Sequence, residues 1–447
     1  MLHKSAFNQA VYSEATGTWA LYNFLNTGFI TLSPAEKEAY DALSSEKMEP
    51  HLLQELTEKG FLTEEDESRL LKERCRDAIN AQECEMVMLT VCPTMDCNFA
   101  CPYCVETGQK RRGRMSPETV FYLKRFFDRL LDESHAKMAF LNWYGGEPTL
   151  ETGIIEELSG HFLYASRLRG VGYSASITTN GYLLDEDCIV RLEKAGVDSY
   201  RITVDGTEET HDCVRVLAGG QGTYRRIMEN VRRLSLAKKT VEIRCNVSRQ
   251  NAAATVQLSR EVAEIGAETG NPIHFHCARM MVYRGVPAEL RDIAMTEEEF
   301  SDFCLGIDDC KDLTPLRPLE VPCRACLKYS YCIDEQGDIY KCNSFLGMKE
   351  HALGNVSDLP RAEDLERGAD CVFIREHAFP ERKDCLECKL LPVCMGSCPL
   401  SSEKRCHRLK QHPERAVLKM MTGADTPDRK EAVSRAEHIS SGTFFRP

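Results

Sequence analysis

Between about residues 85 and 285 the sequence alternates strand-like and helix-like segments, and this alternation constrains the fold more than any other feature. Repeated βα units predict a parallel sheet covered by helices. The six predicted strands are Met86–Val91, Met138–Trp143, Gly172–Thr178, Ser199–Val204, Val241–Val247 and Pro272–Ala278. Six strands fit an α/β partial (β/α)6 barrel, in which the loops after the strands meet at one mouth. We therefore expect the chemistry of this chain in those loops.

A cysteine loop follows the first predicted strand. Cys97, Cys101 and Cys104 are spaced C-x3-C-x2-C, and Tyr103 stands directly before the third cysteine. Three thiolates on one short loop can hold three irons of a [4Fe-4S] cluster and leave the fourth iron open for chemistry. Cysteines at short spacing also suit zinc, so a zinc knuckle is the alternative for this loop taken alone.

Polar or glycine-rich turns follow the next three predicted strands. Gly145-Gly146-Glu147-Pro148 follows the second strand, and Thr178-Thr179-Asn180-Gly181 follows the third. Thr203-Val204-Asp205-Gly206 ends the fourth strand, and Arg215 lies a short way beyond it. Any one of these turns could be an ordinary βα turn. Their order behind the cysteine loop, each at the end of a strand, is far more specific.

The cysteine loop and these turns together resemble the radical S-adenosylmethionine (SAM) enzymes over about 200 residues of the barrel region. The resemblance implies that the open iron chelates the amino and carboxylate groups of SAM, and that one electron cleaves SAM to a 5'-deoxyadenosyl radical. It also implies SAM-binding roles for several residues. These are Tyr103 near the adenine, Gly145, Gly146, Glu147 and Pro148 at the methionyl amino group, Thr203 and Arg215 at the ribose and carboxylate, and Thr179, Asn180 and Asp205 in the same turns.

More than half of the 22 cysteines of the chain fall between Cys304 and Cys406. Their spacing, Cys323-x13-Gly337-x4-Cys342 followed by C-x2-C-x5-C-x3-C and a last cysteine, resembles the SPASM domain, which binds two auxiliary [4Fe-4S] clusters. With the barrel cluster this makes three [4Fe-4S] clusters. The implied ligands are Cys323, Cys326, Cys342 and Cys398 for the nearer cluster and Cys385, Cys388, Cys394 and Cys406 for the outer one. Cys332 could replace Cys326, and a zinc ribbon is the alternative for the outer set.

Residues 1–84 precede the predicted barrel. Phe7–Leu32 predicts a small hairpin or meander, and Ser33 and Glu36 predict a helix start closed by a capping box. Two more helices are expected at about Pro50–Lys59 and Glu64–Ile79. Such a segment resembles the winged-helix-like α+β element often found ahead of peptide-modifying radical SAM enzymes, where a leader peptide adds a strand to a sheet edge. A purely structural cap is the alternative.

The net charge and the hydropathy of the sequence limit the classes of partner that this protein can bind. The net charge of -13 argues against nucleic acid or an anionic membrane as a general partner. The sequence has neither a membrane-length apolar run nor an apolar export segment at its start, so a cytoplasmic protein is expected. We predict a leader-recognition-like domain over residues 1–84, a radical SAM partial barrel over 85–310, and a SPASM domain with a tail over 311–447.

The resemblance implies an oxidoreductase that takes a hydrogen atom from a ribosomally made precursor peptide and closes a thioether or carbon-carbon crosslink. A flavodoxin or ferredoxin would supply the first electron, and an auxiliary cluster would accept the second. The alternative enzyme is an anaerobic sulfatase maturase, which oxidises a Cys or Ser side chain. Its members carry an aspartate base after the cysteine that matches Cys342, but here Asn343 is a neutral amide that cannot take up a proton as a carboxylate does. No catalytic residue is predicted, and the non-enzyme alternative is a zinc-binding or electron-transfer scaffold.

Overall fold

The computed structural model describes residues 2–43, 48–80, 85–104, 113–281, 288–307, 317–400, 406–407 and 409–422. The strands of these residues are β1 (His3–Lys4), β2 (Asn8–Ser13), β3 (Thr18–Asn23), β4 (Phe29–Leu32), β5 (Leu62–Thr63), β6 (Met86–Val91), β7 (Met138–Trp143), β8 (Gly172–Thr179), β9 (Val197–Thr203), β10 (Thr240–Val247), β11 (His274–Arg279), β12 (Ser330–Ile333), β13 (Asp338–Tyr340) and β14 (Gly354–Asn355).

The α-helices of the same residues are α1 (Pro34–Ala42), α2 (Pro50–Glu58), α3 (Glu67–Asn80), α4 (Pro117–Glu133), α5 (Thr152–Leu168), α6 (Glu186–Lys194), α7 (Glu208–His211), α8 (Tyr224–Leu236), α9 (Ala252–Thr269), α10 (Ala288–Asp292), α11 (Glu297–Leu305), α12 (Ala362–Leu365), α13 (Ala369–Glu376), α14 (Lys383–Leu386), α15 (Leu391–Cys394) and α16 (Pro413–Thr422). None of them is both long and apolar enough to span a membrane.

The chain divides into two compact units, and both are discontinuous in sequence. The first unit contains Met1–Ala81, Glu297–Cys326 and Phe373–Asp428. The second contains Gln82–Thr296 and Leu327–Val372. In this division residues 327–372, which the sequence assigns to the C-terminal domain, group with the barrel strands.

The second unit is built on one sheet with the strand order β11-β10-β9-β8-β7-β6-β12-β13-β14. Strands β6 to β11 are parallel neighbours, which confirms the six predicted strands, and their ends differ from the prediction by at most two residues. The alternation of buried and accessible residues along a strand explains how the sheet packs. In β10, Val241, Ile243, Cys245 and Val247 are buried, while the residues between them are exposed or half-buried. One face of the strand therefore packs against helices α8 and α9, and the other is polar.

The predicted hairpin around Gly337 is present, but it also extends the barrel sheet. Strands β12 and β13 pair antiparallel, and Gly337 occupies the turn with φ 83°. β12 in addition pairs in parallel with β6. The sequence does not reveal this second pairing, because a four-residue strand carries no signal for a parallel partner more than two hundred residues away.

A buried ion pair anchors this hairpin ahead of Cys342. Lys341 is 3% exposed, and its Nζ donates to Glu366 Oε1 at 2.5 Å and to Leu327 O at 2.7 Å. The hydroxyl of Tyr331 donates to the same Glu366 oxygen at 3.0 Å. Since both charges are shielded from water, each depends on the other for its stabilisation.

The N-terminal part of the first unit forms an antiparallel meander in the order β2-β3-β4, which confirms the predicted meander. The capping box is also present. Ser33 Oγ accepts from Glu36 N at 3.3 Å, and Glu36 Oε2 accepts from Ser33 N at 2.7 Å. Helices α2 and α3 follow within three residues of the predicted positions.

One apolar core of the first unit is drawn from distant parts of the chain. It joins the N-terminal meander and α3 to the cysteine-rich C-terminal stretch, and we call it the shared core. Its buried members are Phe7, Val11, Ala20, Tyr22, Phe24, Leu25, Leu71, Cys75, Ala325, Cys326, Ile374, Ala378, Phe379, Leu390, Leu391, Val393, Met395, Leu409 and Val417. The meander therefore has no separate core on this face.

Candidate active site

The cysteine loop leaves β6 and is pinned at its centre by a neighbouring segment. Ala100 N donates to Val216 O at 3.0 Å, so the loop pairs with the chain just after Arg215. The three predicted ligands, Cys97, Cys101 and Cys104, are all half-buried on this loop. A hydrogen bond from Cys104 N to Cys101 O, at 3.3 Å, closes the turn between the last two.

The paired glycines after β7 lie directly on the backbone of the cysteine loop. Gly146 N donates to Thr94 O at 3.2 Å, and Glu147 N donates to Asp96 O at 2.8 Å. A Cβ on Gly145 would lie 2.3 Å from Thr94 O, and one on Gly146 would lie 2.3 Å from Asp96 O. Gly145 also has φ 127°. Only glycine permits this approach, which holds the cysteine loop to the barrel.

The carboxylate of Glu147 ties two turns of the barrel mouth together. Glu147 is 0% exposed, and its Oε1 accepts from Thr149 N at 3.0 Å and from the Thr179 hydroxyl at 2.7 Å. Its Oε2 accepts from Asn180 N at 2.7 Å. Burial raises the pKa of Glu147, while these hydrogen bonds act against that rise. Pro148 begins the short 3-10 helix that contributes Thr149.

Three of the predicted SAM residues meet in one contact, in which Asp205 and Arg215 are buried and Tyr103 is half-buried. The Tyr103 hydroxyl donates to Asp205 Oδ2 and accepts from Arg215 Nη1, the latter at 2.9 Å. Asp205 Oδ1 accepts from Asn246 N at 2.8 Å. Burial raises the pKa of Asp205, and the positive charge of Arg215 opposes that rise. The contact joins the cysteine loop to the end of β9. Thr203, the other predicted residue on β9, is half-buried and pairs with Arg244.

A buried histidine that the sequence leaves without a role supports this contact. His211 Nδ1 accepts from Asp205 N at 3.1 Å, so its proton lies on Nε2, which is 3.0 Å from Thr223 Oγ1. Thr223 Oγ1 in turn donates to Arg215 O at 2.6 Å. His211 is 0% exposed, and burial lowers its pKa well below 6.5. The only sequence signal is its position between Asp205 and Arg215.

The neutral state of His211 predicts a loss of stability in acid. Above pH 6.5 the residue is neutral in the folded and unfolded chain. Below it, the unfolded chain takes up a proton that folded His211 does not, so the free energy of unfolding should fall by up to about 1.4 kcal/mol per pH unit from this residue. Melting temperatures measured between about pH 7.5 and 5.5 should fall less steeply in His211→Gln, whose amide does not titrate. The exposed His51→Gln should keep the wild-type slope, and equal slopes in all three proteins would contradict the prediction.

The four cysteines assigned to the outer cluster line one cavity of the first unit: Cys385, Cys388, Cys394 and Cys406. Cys388 N donates to Cys385 O at 3.0 Å, and Cys406 N donates to both carboxylate oxygens of Glu297 at 3.1 Å. Four cysteines around one space match the ligand number of a [4Fe-4S] cluster. Within the described residues, no three His, Cys, Asp or Glu side chains converge closely enough to hold a single metal ion.

The remaining predicted ligands fall into both units. Cys323 and Cys326 lie together in the first unit, with Cys326 N donating to Cys323 O at 3.1 Å. A hydrogen bond between their thiols lowers the pKa of Cys323 and raises that of Cys326. Cys398 belongs to the same unit, whereas Cys342 follows β13 in the second. Cys332 is a strand residue of β12 and is 3% exposed.

Residues 91–249 match the Radical SAM superfamily. This range holds the cysteine loop, the paired glycines and the Tyr103–Asp205–Arg215 contact. This chain is a radical SAM enzyme. Its class therefore implies an iron-sulfur cluster and SAM as cofactors. The match stops before the second cysteine-rich region, so it does not bear on the auxiliary clusters.

Known sulfatase-maturating enzymes resemble this radical SAM chain over most of their length. The serine-type anaerobic sulfatase-maturating enzyme of Bacteroides thetaiotaomicron is 23% identical over 338 residues, which is 68% of this chain and 80% of the relative. The cysteine-type enzyme of Clostridium novyi is 21% identical over 386 residues, which is 76% of this chain and 97% of that relative. Among solved structures, native anSMEcpe with bound AdoMet and Kp18Cys peptide gives a TM-score of 0.59 at 17% identity, covering 79% of this chain and 99% of that one. This structural likeness establishes the radical SAM fold.

The residues around Tyr103 fit the binding of SAM. A cavity beside Tyr103 and Asp205 is lined by polar groups of β10 and of the loops after β9 and β10, and by the apolar side chains of Val214, Met280, Leu290 and Ile293. Arg215 is 8% exposed, and its Nε is buried without a hydrogen-bond partner. A buried, unused donor suits a ligand that carries a carboxylate. The sequence misses the lining residues Asn246 and Ser248, although their place at the end of a barrel strand is the same signal that marks the other turns.

Proposed function

We propose that this radical SAM enzyme modifies a peptide, taking a hydrogen atom from a ribosomally made precursor and closing a thioether or carbon-carbon crosslink. The observation that carries the proposal is the Tyr103–Asp205–Arg215 contact, which joins the cysteine loop to the end of β9 beside a cavity of mixed polar and apolar lining. A peptide substrate is supported by relatives named for maturing sulfatases and by the peptide bound to anSMEcpe.

The chain's own residues position the cofactors and protect them. Cys97, Cys101 and Cys104 would hold the barrel cluster, and Tyr103 and Arg215 would bind SAM. When bound, these groups supply a radical that can take a hydrogen atom from carbon. Such a species reacts with its surroundings, so the protein has to hold the target carbon close and keep other reactive groups away.

Two auxiliary clusters complete the proposal. The outer one would use Cys385, Cys388, Cys394 and Cys406, which line one cavity. The nearer one would use Cys323, Cys326, Cys342 and Cys398. The thiol contact between Cys323 and Cys326 supports Cys326 as a ligand, whereas Cys332 lies on β12 of the barrel sheet.

The N-terminal meander is the proposed place for the leader of the precursor. Its outer strands, β2 and β4, each have one edge that pairs with no other described strand. An extended peptide can add to such an edge through main-chain hydrogen bonds. The structural-cap alternative is supported by the shared core, which ties the meander to the cysteine-rich stretch. The reducing electron would come from a flavodoxin or ferredoxin.

Cluster content and SAM cleavage test the proposal first. Protein reconstituted without oxygen should bind about twelve irons and a matching amount of sulfide, from three four-iron clusters. With dithionite and SAM it should form 5'-deoxyadenosine. Protein that binds zinc in place of iron, or loaded protein that forms no deoxyadenosine, would contradict an enzymatic role and favour a scaffold.

The sulfatase-maturase alternative is supported by the same relatives, which are all named for that activity. Asn343 favours the crosslinking enzyme, since its amide cannot serve as a base. Two peptides separate the alternatives: a sulfatase peptide with the target cysteine, and peptides encoded by small open reading frames beside the gene. A crosslink shows in the mass spectrum as the loss of two hydrogen atoms. Maturase activity gives an aldehyde that hydroxylamine traps.

A further inference from the structure

A lysine touches one of the four cysteines of the outer site. Lys410 Nζ donates to Cys406 Sγ at 3.5 Å, a normal length for a hydrogen bond to sulfur. Lys410 and Cys406 both line the cavity that Cys385, Cys388 and Cys394 also line. The lysine is half-buried, so water screens its charge only in part.

The other groups that line this cavity differ from Lys410 in charge or in their hydrogen-bond partners. Among the described lining residues it is the one Lys or Arg side chain. Asp384 also lines the cavity, but its two oxygens are 3.2 and 3.3 Å from the guanidinium of Arg382. Cys394 receives backbone hydrogen bonds, from Gly396 and His407. Lys410 thus places a positive charge on a ligand sulfur of this site, whereas the donors to Cys394 are neutral backbone groups.

The cysteine loop of the barrel has a different environment. Cys97 Sγ accepts from Phe99 N at 3.4 Å and lies 4.0 Å from the side-chain amide of Asn180. Both of these donors are neutral. Cys406 and Cys97 therefore differ in the charge of the group that donates to sulfur, and such hydrogen bonds help to set the potential of an iron-sulfur cluster.

We propose that Lys410 raises the reduction potential of the outer auxiliary cluster and so makes it a ready electron acceptor. Taking up one electron makes the cluster more negative, and a lysine bound to a ligand sulfur stabilises that reduced form more than the oxidised form. In the crosslinking reaction the electron would come from the substrate radical as it closes the new bond, and the accompanying proton would leave to solvent. This inference rests on the proposed function, because it requires a cluster at the outer site.

Redox titration of the full-length reconstituted enzyme, followed by electron paramagnetic resonance, tests the role of Lys410. Lys410→Met should lower the ratio of reduced to oxidised outer cluster about tenfold at a fixed potential, which is about 59 mV for one electron. Lys410→Arg keeps a cation and its donors and should restore most of the potential. Lys72→Met is the matched control, since it removes the same charge from a lysine of the first unit whose partner is Glu381. It should leave every midpoint unchanged.

The iron content separates a failure of this inference from a failure of the proposed function. If all variants carry the full iron content and Lys410→Met has the wild-type midpoints, the inference on Lys410 is wrong and the function stands. If Lys410→Met loses about four irons, the residue is needed for assembly and tuning is again the wrong role. If the wild type itself carries zinc or no iron at the outer site, the auxiliary clusters of the proposed function are wrong as well.

Discussion

Gly146→Ala is expected to remove the barrel cluster and to reduce 5'-deoxyadenosine formation below detection. The added Cβ would lie 2.3 Å from Asp96 O, 2.5 Å from Met95 O and 2.6 Å from Asp96 C. These are backbone atoms of the cysteine loop, so no side-chain rotation can relieve the overlap. The loop has to move away from the turn, and its cysteines move with it. Iron analysis should show about four irons fewer per chain, with the auxiliary clusters retained.

The same methyl group placed elsewhere should be harmless. Gly153 lies in the first turn of α5, and a Cβ there has no heavy atom within 4 Å. Gly153→Ala should therefore keep full iron content and activity, and it should stabilise the helix slightly. If Gly146→Ala retained the wild-type iron content and rate, the contact between the paired glycines and the cysteine loop would not be essential.

Lys341→Met is expected to lower the free energy of unfolding by about 3–5 kcal/mol, the second large effect. Methionine has nearly the same length but leaves the carboxylate of Glu366 buried without its cation. It also leaves the carbonyl of Leu327 without the donor at 2.7 Å. Chemical denaturation of the loaded enzyme, followed by circular dichroism, measures the change.

Two further variants identify the cause of that loss. Lys341→Met combined with Glu366→Gln removes both charges and should recover part of the stability, since no buried charge is left unpaired. Lys124→Met breaks the exposed ion pair with Glu157, at 2.7 Å, and should cost less than about 1 kcal/mol. A similar small loss for Lys341→Met would show that the buried pair contributes little.

Local patterns in the sequence predict the barrel strands because each strand carries its own signal. In β10 buried and accessible residues alternate. In the N-terminal segment the capping box of Ser33 and Glu36 predicts the start of α1. The parallel pairing of β12 with β6 has no such signal, since it depends on the fold of the residues between them. The grouping of residues 327–372 with the barrel strands is hidden for the same reason.

The candidate site shows the same limit. The family resemblance predicts separate SAM-binding roles for Tyr103, Asp205 and Arg215, but their mutual hydrogen bonds appear only when the cysteine loop is folded against the barrel. His211 belongs to no motif, because its role is to hold the backbone of Asp205 from within the core. Glu147 illustrates a further point, since its carboxylate accepts hydrogen bonds from Thr149, Thr179 and Asn180 that a motif cannot convey.

The shared core also determines when the protein can mature during synthesis. The meander residues Phe7 to Leu25 leave the ribosome first, but their partners from Leu390 to Val417 are translated some 365 residues later. At 5–20 residues per second this delay is roughly 20 to 70 s, during which the C-terminal part of the shared core cannot yet cover the meander. We therefore expect the nascent chain to need a chaperone, and expect iron to enter the outer site only after translation has finished.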